Sequence, residues 1–202
     1  AVRLANRGAA SVALLDLDPW WGQVATHLDL APRATVTDLA RDLRGNVDPE
    51  LVHSYGLHHL SGVSVYTSPS RPDEAAPLTQ DHVEVVLAAL RASFDYVVVD
   101  GGSTMDERAQ VLQTRADRVI VVVSPEIPAV RATRMLLEQL SEYEAPSERQ
   151  VLVLNHIFAA GLVYNHYQQD RRQATQRVLE TVRSIRLVLD AEMQRMTGAL
   201  QV

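Results

Sequence analysis

Short apolar runs recur along the chain and are separated by segments with helical periodicity. Each run is rich in Val and Leu and is apolar on consecutive positions, which is typical of strands that are buried on both faces of a parallel sheet. The runs are Val12–Leu17, Val63–Thr67, Tyr96–Asp100, Val119–Ser124, Val151–Asn155 and Ile185–Asp190. This alternation constrains the fold more than any other feature of the sequence.

Amphipathic helices are predicted between these runs. The apolar stripes are Val83, Val86, Leu87, Leu90 and Phe94, then Val130, Leu137 and Leu140, and then Val178, Val182 and Ile185. Strands that alternate with helices predict an α/β fold, a doubly wound and mostly parallel sheet with helices on both faces. Right-handed crossovers would place the carboxyl ends of the strands at one edge, where ligands bind.

The length of 202 residues fits a single domain over 1–202. Ala1–Asn6 has the pattern of the end of a helix, with Gly8 as its stop signal, and Ala191–Val202 has the pattern of a helix that ends without a cap. We therefore expect the domain to be truncated at the N-terminus and at the C-terminus, with its first strand upstream.

Composition excludes several classes of function. The net charge of −6 gives no general attraction to nucleic acid or anionic membrane, and the absence of Cys excludes disulfides and thiolate metal sites. No apolar run approaches the ~18 residues of a membrane span, so we expect a soluble cytoplasmic protein. All 19 basic residues are Arg, so no mechanism can use a lysine from this sequence.

Acidic residues stand where two of the predicted strands end. Asp16 and Asp18 follow one apolar run, and Asp100 closes another. Carboxylates at the carboxyl ends of parallel strands suit Mg²⁺, which binds one or two carboxylates and keeps several waters. The alternative is that each Asp only caps the turn or helix that follows it.

Two glycines and an asparagine are further candidates for ligand contact. Gly101 and Gly102 follow Asp100 directly, so their backbone could approach a phosphate closely, or could form only a tight turn with positive φ. Asn155 ends a strand-like run and could pair with the edge of a base, although a turn asparagine is the simpler interpretation.

Two clusters could contact a macromolecule. The adjacent Trp20 and Trp21 could form a surface for a partner, or could anchor the next helix against the sheet. The arginines around Arg171 and Arg172 could contact DNA phosphates, but nearby acidic residues favour a solvated helix face, and DNA binding is not expected.

The order of these motifs resembles that of the MinD/ParA group of P-loop ATPases, and most closely its CpaE/TadZ-like pilus-assembly branch. The resembling segments are the D-x-D strand end at Asp16–Asp18, the G-x-V-A-x-x-L-x-L-x-P stretch from Gly22 to Pro32, Val36–Leu39, the strand and P-x-x-P loop from Val65 to Pro72, the Walker B-like strand Phe94–Asp100, Ser124–Glu126 and Val153–Asn155. The resemblance covers nearly the whole chain up to Asn155 and weakens after it.

The resemblance implies an ATP and Mg²⁺ site of the deviant-Walker type. Asp18 would orient or activate the attacking water, Asp16 would support the Mg²⁺ and the switch region, and Asp100 would hold Mg²⁺ through water. Gly101 and Gly102 would lie beside the γ-phosphate. This is phosphoryl transfer by positioning and charge stabilisation.

The same resemblance implies that Asn155 contacts adenine. It also implies an ATP-dependent homodimer that acts on pilus or secretion machinery, with recruitment to the cell pole or the inner membrane face. The alternatives are a catalytically inactive scaffold of the same fold and a ParA/MinD-type partitioning or division-site ATPase.

Two departures from the family pattern qualify the predicted activity. The phosphate-binding loop with its two lysines is not in the sequence, so these 202 residues alone are not expected to hydrolyse ATP. Gly101–Thr104 replaces the Pro-containing segment that the family has after its Walker B strand, which favours the inactive scaffold.

Overall fold

A computed structural model describes residues 1–6, 10–18, 20–43, 47–69, 78–124, 126–142 and 147–155. The chain divides into two compact units, Ala1–Leu112 and Gln113–Val202. The prediction of a single domain over 1–202 stays a prediction.

The first unit contains a sheet with β1 at its centre. Its strands are β1 (Val12–Asp16), β2 (Leu57–His58), β3 (Val63–Tyr66) and β4 (Tyr96–Asp100), in the order β2-β3-β1-β4. β1 pairs in parallel with both β3 and β4, and only the short β2 is antiparallel. The carboxyl ends of three strands therefore lie at one edge.

Helices cover both faces of this sheet. They are α1 (Val2–Ala5), α2 (Val24–His27), α3 (Val36–Leu43), α4 (Pro49–Tyr55), α5 (Gln80–Ser93) and α6 (Glu107–Arg115). Ala13 and Leu15 of β1 pack on one face with buried residues of α3, α4 and α5. Val12 and Leu14 face the other side, with residues of α1 and α2. Because side chains alternate between the two faces of a strand, β1 contributes residues to a hydrophobic core on each face of the sheet.

Local capping explains where two of the helices begin. The Asp48 carboxylate accepts hydrogen bonds from the Glu50 and Leu51 amides, and Pro49 occupies the first turn of α4, where its missing N–H costs nothing. Thr79 and His82 form a reciprocal capping box at the start of α5.

The second unit contains a parallel pair of strands, β5 (Val119–Val123) and β6 (Gln150–Leu154). The helix α7 (Ile127–Glu142) connects them, followed by a 3-10 turn at Ser147–Arg149. Val121 and Leu140 form the buried contact between β5 and α7. This is one βαβ crossover, the unit from which parallel sheets are built.

The predicted α/β fold is confirmed, with a mostly parallel sheet and helices on both faces. The predicted strands up to Asn155 differ from the observed strands by one residue at most at either end. Four helices have no residue range in the prediction, Val24–His27, Val36–Leu43, Pro49–Tyr55 and Glu107–Arg115. They are short, so their apolar stripes span too few turns to show a period.

Several predicted features lie outside the described residues. They are the stop signal at Gly8, the strand Ile185–Asp190, the helix through Val178 and Val182, the arginines around Arg171 and the final helix Ala191–Val202. None of the helices that the structure describes is both long enough and apolar enough to span a bilayer.

Two tyrosine hydrogen bonds give a matched test of the first unit. The buried Tyr66 hydroxyl donates to the Val52 carbonyl oxygen at 3.0 Å, whereas the exposed Tyr55 hydroxyl donates to the Asp42 carboxylate. Tyr66→Phe would leave a carbonyl in the core without its partner, which costs about 1–3 kcal/mol of unfolding free energy. We expect Tyr55→Phe to cost less unfolding free energy, because water can replace the lost hydroxyl as the donor to the exposed Asp42 carboxylate. Urea unfolding measures both, and equal losses would contradict the burial difference.

Candidate functional site

The carboxyl ends of β1 and β4 meet at the edge of the first unit's sheet. Asp16 and Asp100 are register partners, and the Leu17 N–H donates to the Asp100 carbonyl oxygen at 2.8 Å. The parallel register therefore sets the two predicted acidic strand ends side by side.

Asp16 is the buried carboxylate of this edge, with 1% of its surface exposed. Its Oδ1 accepts from the Asp18 N–H and its Oδ2 from the Val24 N–H, each at 3.1 Å. Both oxygens are thus used to fix the two ends of the loop between β1 and α2. Asp16 is placed to organise this loop.

Burial raises the pKa of Asp16 above its ordinary value of 3.8, and the charges of Asp100 and Asp18 act in the same direction. The hydrogen bonds from Val24 and Asp18 oppose this change. The raised pKa of Asp16 therefore reflects mainly its burial, to which the two neighbouring carboxylates add.

Asp18 links the same loop to the turn after β4. Its Oδ1 accepts from the Trp20 N–H at 3.0 Å and from the Trp21 N–H at 3.1 Å. On its other side lies Gly102, where an added Cβ would come within 2.8 Å of the Asp18 Cγ. Asp18 therefore caps a turn, as the simpler interpretation predicted, and also contacts the glycine turn.

The turn after β4 depends on Gly102, which has φ +66°. Its N–H donates to the Asp100 Oδ1 at 3.1 Å. Gly101 has no positive φ, and a Cβ there would meet only the Leu112 Cδ1 at 3.1 Å. The interpretation as a tight turn with positive φ is therefore correct for Gly102, and the Gly102 N–H is hydrogen bonded to the Asp100 carboxylate.

Sequence reasoning missed the contact between Gly22 and Ser68. A Cβ on Gly22 would lie 1.8 Å from the Ser68 Oγ and 2.8 Å from the Asp16 Oδ2. Ser68 is buried just after β3, so this contact joins the β3 end to the loop that Asp16 holds. Gly22 begins the Gly22–Pro32 stretch on which the family resemblance partly rests. Nothing in the sequence indicated that it contacts Ser68.

The two tryptophans lie at the outside of this loop. Trp20 is 53% exposed and Trp21 is 76% exposed. Of the two alternatives that the sequence left open, this exposure favours a surface for a partner over anchoring of the next helix.

Asn155 belongs to the second unit. It follows β6, is exposed, and donates its backbone N–H to the Val123 carbonyl oxygen at 2.8 Å. It thus lies at the carboxyl end of a parallel strand, as the sequence predicted. The structure brings together Asp16, Asp18, Asp100, Gly101 and Gly102 in the first unit.

Within the described ranges, no group of three or more His, Cys, Asp or Glu side chains has the arrangement of a metal site. The acidic edge formed by Asp16, Asp18 and Asp100 offers three carboxylates, of which Asp16 is buried and accepts hydrogen bonds through both oxygens. Mg²⁺ fits this donor set, because it usually keeps several waters and takes one or two carboxylates together with substrate phosphates. The exposed Asp100 and half-exposed Asp18 are the accessible donors.

The fold is that of the ParA/MinD-type P-loop ATPases. A solved ParA-family ATPase from Chlorobium tepidum TLS superposes with a TM-score of 0.70 at 20% identity, over 75% of this chain and 63% of that one. The MinD protein complexed with Mg-ADP from Pyrococcus horikoshii OT3 superposes with a TM-score of 0.55 at 17% identity, over 76% of this chain and 58% of that one.

A curated relative agrees with this fold. The septum site-determining protein MinD of Bacillus subtilis (strain 168) is 30% identical over 101 residues, which are 48% of this chain and 38% of MinD. The chain thus spans less than two thirds of each of these proteins. No protein-family model matches the chain.

The loop leaves no room for a side chain at position 22, and this requirement can be tested. Gly22→Ala places a methyl group inside the contact distance of two buried polar atoms, so we expect a loss of about 1–3 kcal/mol of unfolding free energy. Gly101→Ala is the matched control, because its methyl group would meet only the flexible end of Leu112. Chemical denaturation measures both variants. A Gly22→Ala loss no larger than that of Gly101→Ala would contradict the packing.

The buried carboxylate gives a pH-dependent prediction. Because the pKa of Asp16 is raised in the folded state, its proton is held more tightly there, and the unfolding free energy falls as pH rises from 3.8 through the folded pKa. Asp16→Asn removes this fall, so its unfolding free energy relative to the parent should increase across that window. The lost acceptor adds an offset that does not vary with pH. Urea unfolding from acidic to neutral pH measures the difference, and a constant difference would contradict the charge effect.

Proposed function

We propose that this chain is the nucleotide-binding core of an ATP-dependent switch of the ParA/MinD type, which positions other components in the cell. Mg-ATP would bind at the acidic edge of the first unit. The relatives described above are a septum site-determining MinD and a ParA-family ATPase. They favour the partitioning or division-site alternative over a role in pilus assembly.

One contact carries the proposal. Asp18, beyond the end of the central strand, lies against Gly102 of the turn after β4. The same turn is held by Asp100, the register partner of Asp16. Three carboxylates and a glycine turn thus meet where ligands bind in open α/β sheets.

The carboxylates and glycines of this edge would each have a separate role in binding Mg-ATP. Asp100 would hold Mg²⁺ through water, and Asp18 would orient the attacking water. Asp16 would keep Asp18 in place through the hydrogen bond from the Asp18 amide. Gly101 and Gly102 would lie beside the γ-phosphate. When bound, Mg²⁺ would neutralise the charge that develops on the phosphates.

Adenine recognition and dimerisation belong to the same proposal. Contact of Asn155 with adenine stays a prediction from the sequence resemblance, because Asn155 follows β6 in the second unit. Binding of ATP would favour a homodimer. The exposed Trp20 and Trp21 support a protein contact at this loop, since paired aromatic side chains are enriched at interfaces.

The narrower role in Flp/Tad pilus assembly rests on the sequence resemblance to CpaE/TadZ-like proteins. Its motifs, from Gly22 to Pro32 and from Phe94 to Asp100, are compatible with the ParA/MinD-type fold in general. We therefore propose the general positioning switch first and keep the pilus machine as one class of partner for it.

A scaffold that binds nucleotide without hydrolysing it is the second candidate. The Gly102 N–H is directed at the Asp100 carboxylate, so that donor is engaged within the turn. A turn closed in this way would present fewer donors to a γ-phosphate. Release of inorganic phosphate distinguishes this scaffold from the ATPase once binding is established.

Mg-ATP binding by the complete gene product tests the proposal. The complete product is used because no lysine for the phosphates occurs in these 202 residues. We expect saturable binding by calorimetry, weakened about tenfold or more by Asp100→Ala, which corresponds to at least about 1.4 kcal/mol. Asp100→Asn can still accept from Gly102, so an equal loss in that variant assigns the effect to charge.

Asp95→Asn is the matched control, because Asp95 precedes β4 at the opposite end of the same strand and binds Ser11. We expect it to bind Mg-ATP like the parent. Saturable binding that Asp100→Ala leaves unchanged would remove Asp100 from the metal site. Failure of the complete product to bind Mg-ATP would overturn both the ATPase and the nucleotide-binding scaffold.

A further inference from the structure

Arg108 is a half-buried cation in the helix that follows the glycine turn. It lies in the first turn of α6, and 18% of its side chain is exposed. The arginines of two other ion pairs are far more open, with 66% of the Arg41 side chain and 81% of the Arg134 side chain exposed. Charged side chains are seldom buried without a partner, so a specific interaction must hold Arg108 in this position.

Asp106 is the partner that holds this cation. Its Oδ1 accepts hydrogen bonds from the Arg108 and Ala109 amides and thereby caps α6. Its Oδ2 accepts from the Arg108 Nε at 2.9 Å and from the Arg108 Nη2 at 2.5 Å. Burial alone would raise the pKa of the Asp106 carboxyl, but the hydrogen bonds from Arg108 and Ala109 keep it below its ordinary value of 3.8. The cap uses Oδ1 only, so the bonds from the guanidinium are an addition to it.

The guanidinium of Arg108 keeps donors for a second acceptor. A guanidinium has five N–H groups in a planar fork, and Asp106 binds the side of that fork formed by Nε and Nη2. The Arg108 Nη1 makes no hydrogen bond to any residue in the described ranges. The edge formed by Nη1 and Nη2 matches the oxygens of a carboxylate or a phosphate. Asp106 therefore fixes the orientation of Arg108 and leaves its Nη1 side available for an anion.

The packing of α6 places this arginine beside the glycine turn. Leu112 lies four residues after Arg108 and therefore on the same face of the helix. A Cβ on Gly101 would lie 3.1 Å from the Leu112 Cδ1. The face of α6 that carries Arg108 thus packs towards the end of β4, where the γ-phosphate of the proposed nucleotide would lie.

We infer that Arg108 is a specificity-determining residue of the proposed site, which binds the γ-phosphate through its Nη1 side and so distinguishes ATP from ADP. Asp106 is the residue that positions it. This inference rests on the proposed function. The carboxylates of the acidic edge oppose the additional negative charge that ATP carries relative to ADP, and a cation beside the glycine turn compensates that charge. A guanidinium held on one side by a carboxylate is already oriented for this contact.

Binding of Mg-ATP and of Mg-ADP to the complete gene product tests this role. Arg108→Gln should weaken Mg-ATP binding by about tenfold or more and leave Mg-ADP binding unchanged, because only ATP has the phosphate that Arg108 contacts. Calorimetry with each nucleotide gives the two dissociation constants and their ratio. An unchanged ratio, whether both nucleotides bind as before or both lose affinity equally, would assign Arg108 to the local structure of α6 and overturn the inference.

Two further variants separate the contact from the fold. Asp106→Asn keeps an oxygen that can cap α6 but loses the charge that holds the guanidinium, so the preference for ATP over ADP should fall. Arg41→Gln removes a comparable ion pair, with Asp38 on α3, and should change neither dissociation constant. If Arg108→Gln does not fold, Asp106→Asn decides, and an unchanged preference in that variant would overturn the inference. A parent that binds neither nucleotide would instead overturn the proposed function, and the role of Arg108 with it.

Discussion

The hydrogen bond from the Leu17 N–H to the Asp100 carbonyl oxygen is the last bond of the β1–β4 pairing, and the acidic edge depends on it. It closes a register of five residue pairs between β1 and β4, and this register decides which side chains share the edge. A one-residue slip would move Asp16 away from Asp100. It would also move the side chains of β1 to the opposite faces of the sheet. The two hydrophobic clusters on opposite faces of β1 therefore hold the geometry of the site as well as the fold.

The loop after β1 shows how a carboxylate can act as a structural centre. Asp16 accepts from amides at both ends of the loop, and Asp18 accepts from two amides inside it. Such bonds to ionised acceptors are stronger than those between neutral groups, so they help to keep the loop in one conformation. A cation bound at Asp100 or Asp18, as proposed above, would act on the same carboxylates that accept the hydrogen bonds of this loop.

The sequence predicted the strands and the acidic edge well, and did so for a physical reason. A fully apolar run followed by Asp identifies both a buried strand and its end, so Asp16 and Asp100 could be placed without coordinates. The contact of Gly22 with Ser68 and that of Gly102 with Asp18 could not, because each joins loops whose meeting depends on tertiary packing. For Trp20 and Trp21 the sequence left two alternatives open, because an aromatic pair suits both a core and a surface contact, and the structure favours the surface.

The exposed tryptophan pair has a practical consequence. Trp20 and Trp21 are the 2 tryptophans of the entire sequence, and both follow the carboxylate that touches the glycine turn. Indole emission of the unlabelled protein therefore originates from one loop beside the acidic edge and from nowhere else in the chain. The protein carries an intrinsic optical probe at the place where its chemistry is expected, so rearrangement of that loop can be followed in real time without attaching a dye.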